Sequence, residues 1–158
     1  MAIFMTLGTS HAAAPEPAVV FLVRHAEKTG EGRDPALSEA GQARADELAN
    51  VLADAGITAI YSSDYRRTRG TAEPLARRLG LEIMVYDPQQ LESLAQILGK
   101  SAGRTLVVGH SNTTPELVAL LGGEPGPAID EAGEYDRLYS LTLIPDQTVS
   151  TVLLRYGK

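Results

Sequence analysis

The sequence contains no cysteine among its 158 residues. Disulfide bonds, cysteine-ligated zinc and a catalytic thiol are therefore excluded as sources of stability or chemistry. A chain of this length can bury roughly 70% of the surface of its extended form, so a stable core needs neither a metal nor a disulfide. The lack of cysteine is compatible with a reducing or an oxidising compartment and does not distinguish between them.

Positive charge is also scarce, because 14 lysines and arginines face 20 acidic residues and leave a formal net charge of −6. A large nucleic-acid-binding surface usually needs a basic face, so this balance argues against that class of function. No apolar stretch approaches the ~20 residues that a membrane-spanning helix requires. The glycine-rich motif of nucleotide-binding P-loops is absent as well. A local basic pocket for a small anion remains compatible with this composition.

Residues 1–17 differ in composition from the rest of the chain. Residues 2–7 are mostly apolar, small residues follow at 10–13, and Pro15-Glu16-Pro17 has the composition of a linker. The small residues suit a signal peptidase, although the apolar stretch is short and no basic residue precedes it. We expect either a remnant of a secretory signal on a periplasmic or secreted protein, or a disordered tail on a cytoplasmic one. Residues 18–158 are expected to form a single domain.

The remaining chain alternates strand-like and helix-like segments. Residues 19–23 and 105–109 are apolar runs without polar alternation, which is typical of central strands covered on both faces. Helical periodicity follows Ser38, which is expected to cap one helix, and Gly80 is expected to end the next. Strands alternating with helices predict an α/β fold, a three-layer α/β/α sandwich with a mostly parallel sheet.

The last part of the chain breaks this alternation. Residues 138–144 and 148–156 alternate apolar and polar side chains around Pro145-Asp146-Gln147, which predicts an antiparallel hairpin at one sheet edge. Before it, Thr113 or Thr114 is expected to cap the fourth helix. In sheets of this kind ligands bind beyond the carboxyl ends of the strands, so functional residues are expected there.

Two histidines come immediately after buried-type strands, His25 after the first strand and His110 after the fourth. A single histidine at a strand end is more often structural than catalytic, but two at one sheet edge favour a shared site. Arg24 precedes the first of them, and Arg66 and Arg67 follow the second strand. A guanidinium group offers paired donors that suit phosphate oxygens, so the pattern predicts a pocket for a tetrahedral dianion.

A metal site built on the same two histidines is the alternative interpretation. Zinc sites in proteins generally use three or four protein ligands, and the arginines beside His25 would repel a cation. No metal and no cofactor is therefore expected.

Four motifs, in this order, resemble those of the histidine phosphatase (phosphoglycerate-mutase-like) superfamily. Residues 22–28 resemble its Arg-His signature, and residues 37–41 (Leu-Ser-Glu-Ala-Gly) resemble the usual start of its first helix. Residues 62–72 resemble the second motif, in which the phosphate-binding arginine stands four residues before a Thr-Ala pair and corresponds to Arg67. Residues 108–112 resemble the third motif, which supplies the second histidine.

The resemblance implies a phosphatase in which neutral His25 attacks phosphorus and becomes phosphorylated. The phosphoryl oxygens are then expected to contact polar residues at the strand ends, namely Arg24, Arg67, His110, Ser111 and Asn112. His25 must be deprotonated to attack, whereas His110 is more useful when protonated, so the two roles demand different pKa values. A small phosphorylated molecule or a phosphoprotein is the expected substrate.

Two alternatives keep the same fold: a phosphoglycerate-type mutase and a non-catalytic phosphate-binding protein. A mutase needs a closed pocket that keeps water away from the phosphoryl group. Many members of the superfamily carry a sizeable insertion where this chain has only residues 80–104. This short interval favours a phosphatase that resembles the short phosphohistidine-phosphatase members.

The general acid is the least defined part of the predicted site. Asp87 is the first candidate, although an aspartate before a proline more commonly serves a turn. Glu92, Glu27 and Asp136 are further candidates. Without a firm acid, we expect a preference for phosphate esters with good leaving groups, or for phosphoramidates.

Overall fold

The computed structural model describes residues 16–30 and 32–157, and in these ranges a six-stranded sheet carries four helices. In chain order the elements are β1 (Ala18–Arg24), α1 (Glu39–Leu52), β2 (Ala59–Ser63), α2 (Arg66–Leu79), β3 (Ile83–Tyr86), α3 (Leu91–Lys100), β4 (Arg104–Gly109), α4 (Thr113–Leu120), β5 (Arg137–Leu143) and β6 (Ser150–Arg155). The expected signal remnant or tail lies almost entirely outside the described residues. None of the helices in these ranges is long and apolar enough to cross a membrane.

The strand order is β3-β2-β4-β1-β5-β6. β2 pairs in parallel with β3 and β4, β1 pairs in parallel with β4, and β5 runs antiparallel to both β1 and β6. The predicted α/β fold, with a mostly parallel sheet and an antiparallel hairpin at its edge, is therefore confirmed. Arg24 pairs with Gly109 and Ser62 with Val108, so β1, β2 and β4 end side by side.

The sheet separates two hydrophobic clusters and so creates the three layers. Leu48 of α1 and Leu75 of α2 are completely buried on one face, and Leu117 of α4 is buried on the other. Neighbouring residues of β1 divide between the faces, because Leu22 belongs to the second cluster and Val23 to the first. Burying a side chain of this size contributes about 1.5–3 kcal/mol, so helices on both faces stabilise the sheet that carries the strand ends.

Two of the predicted helix boundaries depend on local chemistry and are confirmed. The Ser38 hydroxyl accepts a hydrogen bond from the backbone N–H of Gly41 at 3.2 Å, which caps α1. Gly80 ends α2 with a left-handed φ of 65°, a conformation that costs glycine little.

The predicted threonine cap of α4 is wrong. The residue at the cap position is Asn112, whose side chain makes no capping hydrogen bond. Thr113 instead accepts a hydrogen bond from the N–H of His110 at 3.0 Å, and Thr114 donates to the carbonyl of Val23 at 3.2 Å. Both hydroxyls therefore satisfy backbone groups at the ends of β1 and β4, and these hydrogen bonds take the place of capping.

Gly41 allows α1 to approach the segment that follows His25. A Cβ atom at this position would lie 1.9 Å from the carbonyl oxygen of Glu27. The same carbonyl accepts a hydrogen bond from the N–H of Ser38 at 2.9 Å. The Leu-Ser-Glu-Ala-Gly motif thus fastens the start of α1 to the chain beside the first histidine.

Candidate functional site

The parallel strands bring the two histidines together. Arg24 is the last residue of β1, and His110 directly follows β4. The ring centroids of His25 and His110 lie 5.5 Å apart, with their planes 70° from parallel. The two histidines therefore lie together at one edge of the sheet, as the sequence predicts.

A cleft of about 330 Å³ opens at this edge and is called here the histidine cleft. Its lining residues are His25, Lys28, Tyr65, Arg67, Pro88, Gln89, His110, Ser111, Asn112, Thr113 and Glu131. Ser111 and Asn112 were predicted to contact phosphate, and they line the same cleft as both histidines. Lys28, Tyr65 and Glu131 are lining residues that do not belong to the predicted set.

His25 is held as a neutral imidazole with one nitrogen available for attack. Its Nδ1 lies 2.8 Å from the carbonyl oxygen of Ala26, which indicates that Nδ1 carries the proton and donates it to that oxygen. Burial lowers the pKa of His25 to about 3, and the positive charges of Arg24 and Arg67 contribute to the lowering. The Nε2 lone pair is therefore free at neutral pH, which is the form a nucleophile requires.

His110 takes the opposite tautomer because of its neighbours. Its Nε2 lies 2.9 Å from the hydroxyl of Ser63, and that hydroxyl donates its own proton to Thr68 at 3.0 Å. The hydroxyl must therefore accept from the histidine, so Nε2 carries the proton. The other nitrogen, Nδ1, faces Nη2 of Arg67 at 3.5 Å, and a guanidinium can only donate.

The pKa of His110 lies close to that of His25 in this structure, and different pKa values for the two roles stay a prediction. Burial, followed by the charges of Arg67 and Arg24, lowers the pKa of His110 to about 4. Both imidazoles are thus neutral at pH 7, because both are buried beside the same arginines. An anion bound next to His110 would raise its pKa, since an opposite charge favours the protonated form.

We expect neither His25 nor His110 to gain a proton as the pH is lowered from about 8 to about 5. In the unfolded chain a histidine has a pKa near 6.5, so the unfolded state binds more protons below that pH. The free energy of unfolding should consequently decrease as the pH falls from about 6.5 towards 4, by up to about 1.4 kcal/mol per pH unit for each histidine.

NMR titration of the imidazole resonances measures this directly, with His25→Gln and His110→Gln used to assign them. A midpoint near pH 6.5 for either residue would contradict the structure.

Arg67 lies inside the cleft between an aromatic ring and a carboxylate. Its guanidinium carbon is 4.5 Å from the ring centroid of Tyr65, and its Nη1 is 3.7 Å from Asp34. The Nε group is buried without a hydrogen-bond partner among the described residues. Tyr65 also packs edge-on against His110, with ring centroids 5.1 Å apart. The stacked arginine is therefore oriented and retains donors for an anion.

Arg24 has a structural use that its position in the sequence does not reveal. Its two terminal nitrogens donate to three backbone carbonyls of the loop before β5, those of Asp130, Glu131 and Glu134, at 2.9–3.2 Å. Its guanidinium carbon lies 4.0 Å from the ring centroid of Tyr135. Only the Nε group is buried without a partner among the described residues. Arg24 is not among the described residues that line the histidine cleft, and direct phosphate binding by Arg24 stays a prediction.

The candidate acids from the sequence lie in different surroundings. Asp87 is exposed and accepts a hydrogen bond from the N–H of Gln89 at 2.9 Å, as an aspartate in a turn does. Glu27 forms an ion pair with Arg44 at 2.8 Å, Asp136 forms one with Arg155 at 2.6 Å, and Glu92 stands in the first turn of α3. None of the four lines the histidine cleft in the described part of the chain. A catalytic role for Asp87 stays a prediction.

Several residues of the site were not predicted. Ser63, Tyr65 and Thr68 belong to the segment that carries the second motif, so their closeness to Arg67 in sequence was an available signal. Tyr135 packs against His25 with ring centroids 6.1 Å apart, yet it is more than a hundred positions away in the chain. No three residues of the types that ligate metals cluster anywhere in the described ranges.

Comparison with known families matches the part of the chain that carries His25 and Arg67. The model of the histidine phosphatase superfamily (branch 1) matches residues 20–95, which contain His25 and Arg67 but not His110. Proteins named probable phosphoglycerate mutase GpmB, from Shigella dysenteriae serotype 1 and Escherichia coli K12, are 35% identical over 106 residues. That alignment includes 63% of this chain but only 49% of theirs, so this chain matches about half the length of those relatives.

Solved structures resemble the whole described fold. The protein histidine phosphatase SixA, complexed with tungstate, superposes with a TM-score of 0.69 at 20% identity, over 87% of this chain and 96% of that one. A mycobacterial glucosyl-3-phosphoglycerate phosphatase superposes with a TM-score of 0.65 at 17% identity, over 89% of this chain and 97% of that one. Identities this low establish a shared fold.

Proposed function

Because the chain belongs to the histidine phosphatase superfamily, we propose that it is a phosphatase that hydrolyses phosphomonoesters or phosphoramidates through a phosphohistidine on His25. The observation that carries the proposal is the neutral His25, whose Nδ1 is engaged by the Ala26 carbonyl and whose other nitrogen is left for attack. A small phosphorylated molecule or a phosphoprotein is the proposed substrate.

In the first proposed step, the Nε2 lone pair of His25 forms a bond to phosphorus while the bond to the leaving group breaks. The negative charge of the phosphoryl oxygens is stabilised by Arg67, by His110 and by backbone N–H groups at the start of α4. In the second step, a water oxygen attacks phosphorus, the N–P bond returns its electron pair to Nε2, and phosphate leaves.

The small part that residues 81–103 take in the cleft favours hydrolysis over mutase chemistry. Residues 81–103 are used by β3, a turn and α3, and only Pro88 and Gln89 from this interval line the histidine cleft. A mutase has to keep water away from its phosphoenzyme, which needs a segment that covers the site. The second candidate remains a mutase, because the relatives that match by sequence carry the name phosphoglycerate mutase.

The proposal is tested by phosphate release from p-nitrophenyl phosphate between about pH 5 and 8, combined with rapid acid-free quenching to trap the phosphoenzyme. We expect turnover and a phosphorylated protein that is stable in base and labile in acid, as phosphoramidates are. A parallel assay with labelled phosphoglycerate separates the two activities. Phosphoryl transfer between positions of phosphoglycerate without phosphate release would favour the mutase, and binding of phosphate without turnover would favour a non-catalytic protein.

A further inference from the structure

The loop between α4 and β5 is built to a defined shape beside the histidine cleft. The Arg24 guanidinium holds the backbone carbonyls of Asp130, Glu131 and Glu134. Within the loop, the N–H of Ala132 donates to the Asp130 carboxylate at 3.0 Å. The backbone of residues 130–134 is thus tied to the end of β1, one position before the nucleophile.

Salt bridges support the same loop from its outer side. The Glu134 carboxylate accepts hydrogen bonds from Nε and Nη2 of Arg137, at 2.7 and 2.9 Å, and from Nη1 of Arg155 at 2.8 Å. Hydrogen bonds of this kind to a charged group are stronger than neutral ones. Arg137 is itself only 4% exposed and also donates to the carbonyls of Pro127 and Ala128. These hydrogen bonds and ion pairs therefore fix the backbone conformation of the loop.

One residue of this loop, Glu131, lines the cleft. Glu131 lines the cleft together with His25, His110 and Arg67, and it is the only carboxylic acid among the described lining residues. Arg24 holds its backbone carbonyl and not its carboxylate, so the acid group is left for other contacts. The acidic residues on either side, Asp130 and Glu134, are both used in holding the loop together.

We propose that Glu131 is the general acid of the reaction, a role that rests on the phosphatase function proposed above. As the Nε2 atom of His25 forms its bond to phosphorus, the bond from phosphorus to the leaving oxygen breaks, and that oxygen takes the proton of the Glu131 carboxyl group. Glu131 is left as a carboxylate. In the second step it takes one proton from the attacking water while the N–P bond breaks and phosphate departs. The net reaction consumes one water and forms an alcohol and phosphate.

This role changes the expected substrate range. A proton donor matters most when the leaving group is a poor one, because a good leaving group departs as an anion without help. Glu131 would therefore extend turnover from aryl phosphates to alkyl phosphates, beyond what the lack of a recognisable acid in the sequence suggests.

The test compares wild type, Glu131→Gln, Asp87→Asn and Glu124→Gln on p-nitrophenyl phosphate, phenyl phosphate and glycerol phosphate. Glutamine keeps the backbone carbonyl that Arg24 binds, and Glu124 is an exposed acid on the same connection that does not line the cleft. We expect Glu131→Gln to lower kcat/KM by less than about threefold for p-nitrophenyl phosphate and by about 10²-fold for glycerol phosphate, the lower end of what general acids contribute. Glu124→Gln should match wild type on all three.

A uniform loss on all three substrates would overturn the proposal, because a structural defect does not depend on the leaving group. No loss on glycerol phosphate would overturn it too, as would the graded loss appearing in Asp87→Asn in place of Glu131→Gln. Wild type that fails to release phosphate from p-nitrophenyl phosphate would instead overturn the phosphatase function and this role with it. Circular dichroism and thermal unfolding of each variant show whether it folds.

Discussion

Replacing His25 with alanine should lower kcat for p-nitrophenyl phosphate by about 10⁴–10⁶-fold, the range found when a covalent nucleophile is removed from an enzyme. The side chain is only 4% exposed and supplies a neutral ring nitrogen, Nε2, with no hydrogen-bond partner among the described residues. Water would then have to attack phosphorus directly, without a phosphoenzyme. The trapped phosphoprotein should disappear together with the turnover.

The alanine variant also creates a space that imidazole can enter. Added imidazole should restore part of the activity and release phosphoimidazole, because it replaces the missing nucleophile without being tied to the chain. Rescue of this kind separates loss of the nucleophile from loss of the fold. Turnover of the variant within tenfold of wild type, or an undiminished phosphoprotein, would remove His25 as the nucleophile.

Arg67→Ala should lower kcat/KM for p-nitrophenyl phosphate by about 10²–10³-fold, whereas Arg66→Ala should stay within about threefold of wild type. Removing one preorganised donor to a transition-state oxyanion typically lowers the rate by about 10²–10³-fold, which is the loss expected for Arg67→Ala. Arg67 lies in the cleft against Tyr65 and His110. Arg66 is exposed, outside the cleft, and engages Asp34 through its backbone N–H, which alanine retains.

Lysine at position 67 should recover only part of the lost activity, since an ammonium group carries the charge but not the planar pair of donors. The two arginines are neighbours on one helix, so general surface charge is altered equally in both alanine variants. Equal losses in Arg66→Ala and Arg67→Ala would mean that the charge near the cleft matters and that neither guanidinium binds the phosphoryl group individually.

Much of the fold was predictable because its causes are local. Apolar runs without alternation identified β1 and β4, and Gly80 ended α2 since its left-handed backbone suits glycine. The prediction for α4 failed because the capping preference competed with two other hydrogen bonds, one local and one to the distant strand β1. Thr113 and Thr114 have good capping side chains, but the backbone groups of His110 and Val23 engage them instead.

The sequence by itself determined the class of fold, the sheet edge that carries the chemistry and the pair of histidines on it, because strand patterns and strand-end positions are properties of short segments. Tertiary structure decided the protonation of those histidines, since burial beside Arg24 and Arg67 lowers both pKa values. It also decided which carboxylic acid lines the cleft among the described residues. Glu131 lies at the cleft on a loop that Arg24, about a hundred positions earlier, helps to hold. Such a contact depends on the folded path of the chain, and no pattern within either segment encodes it.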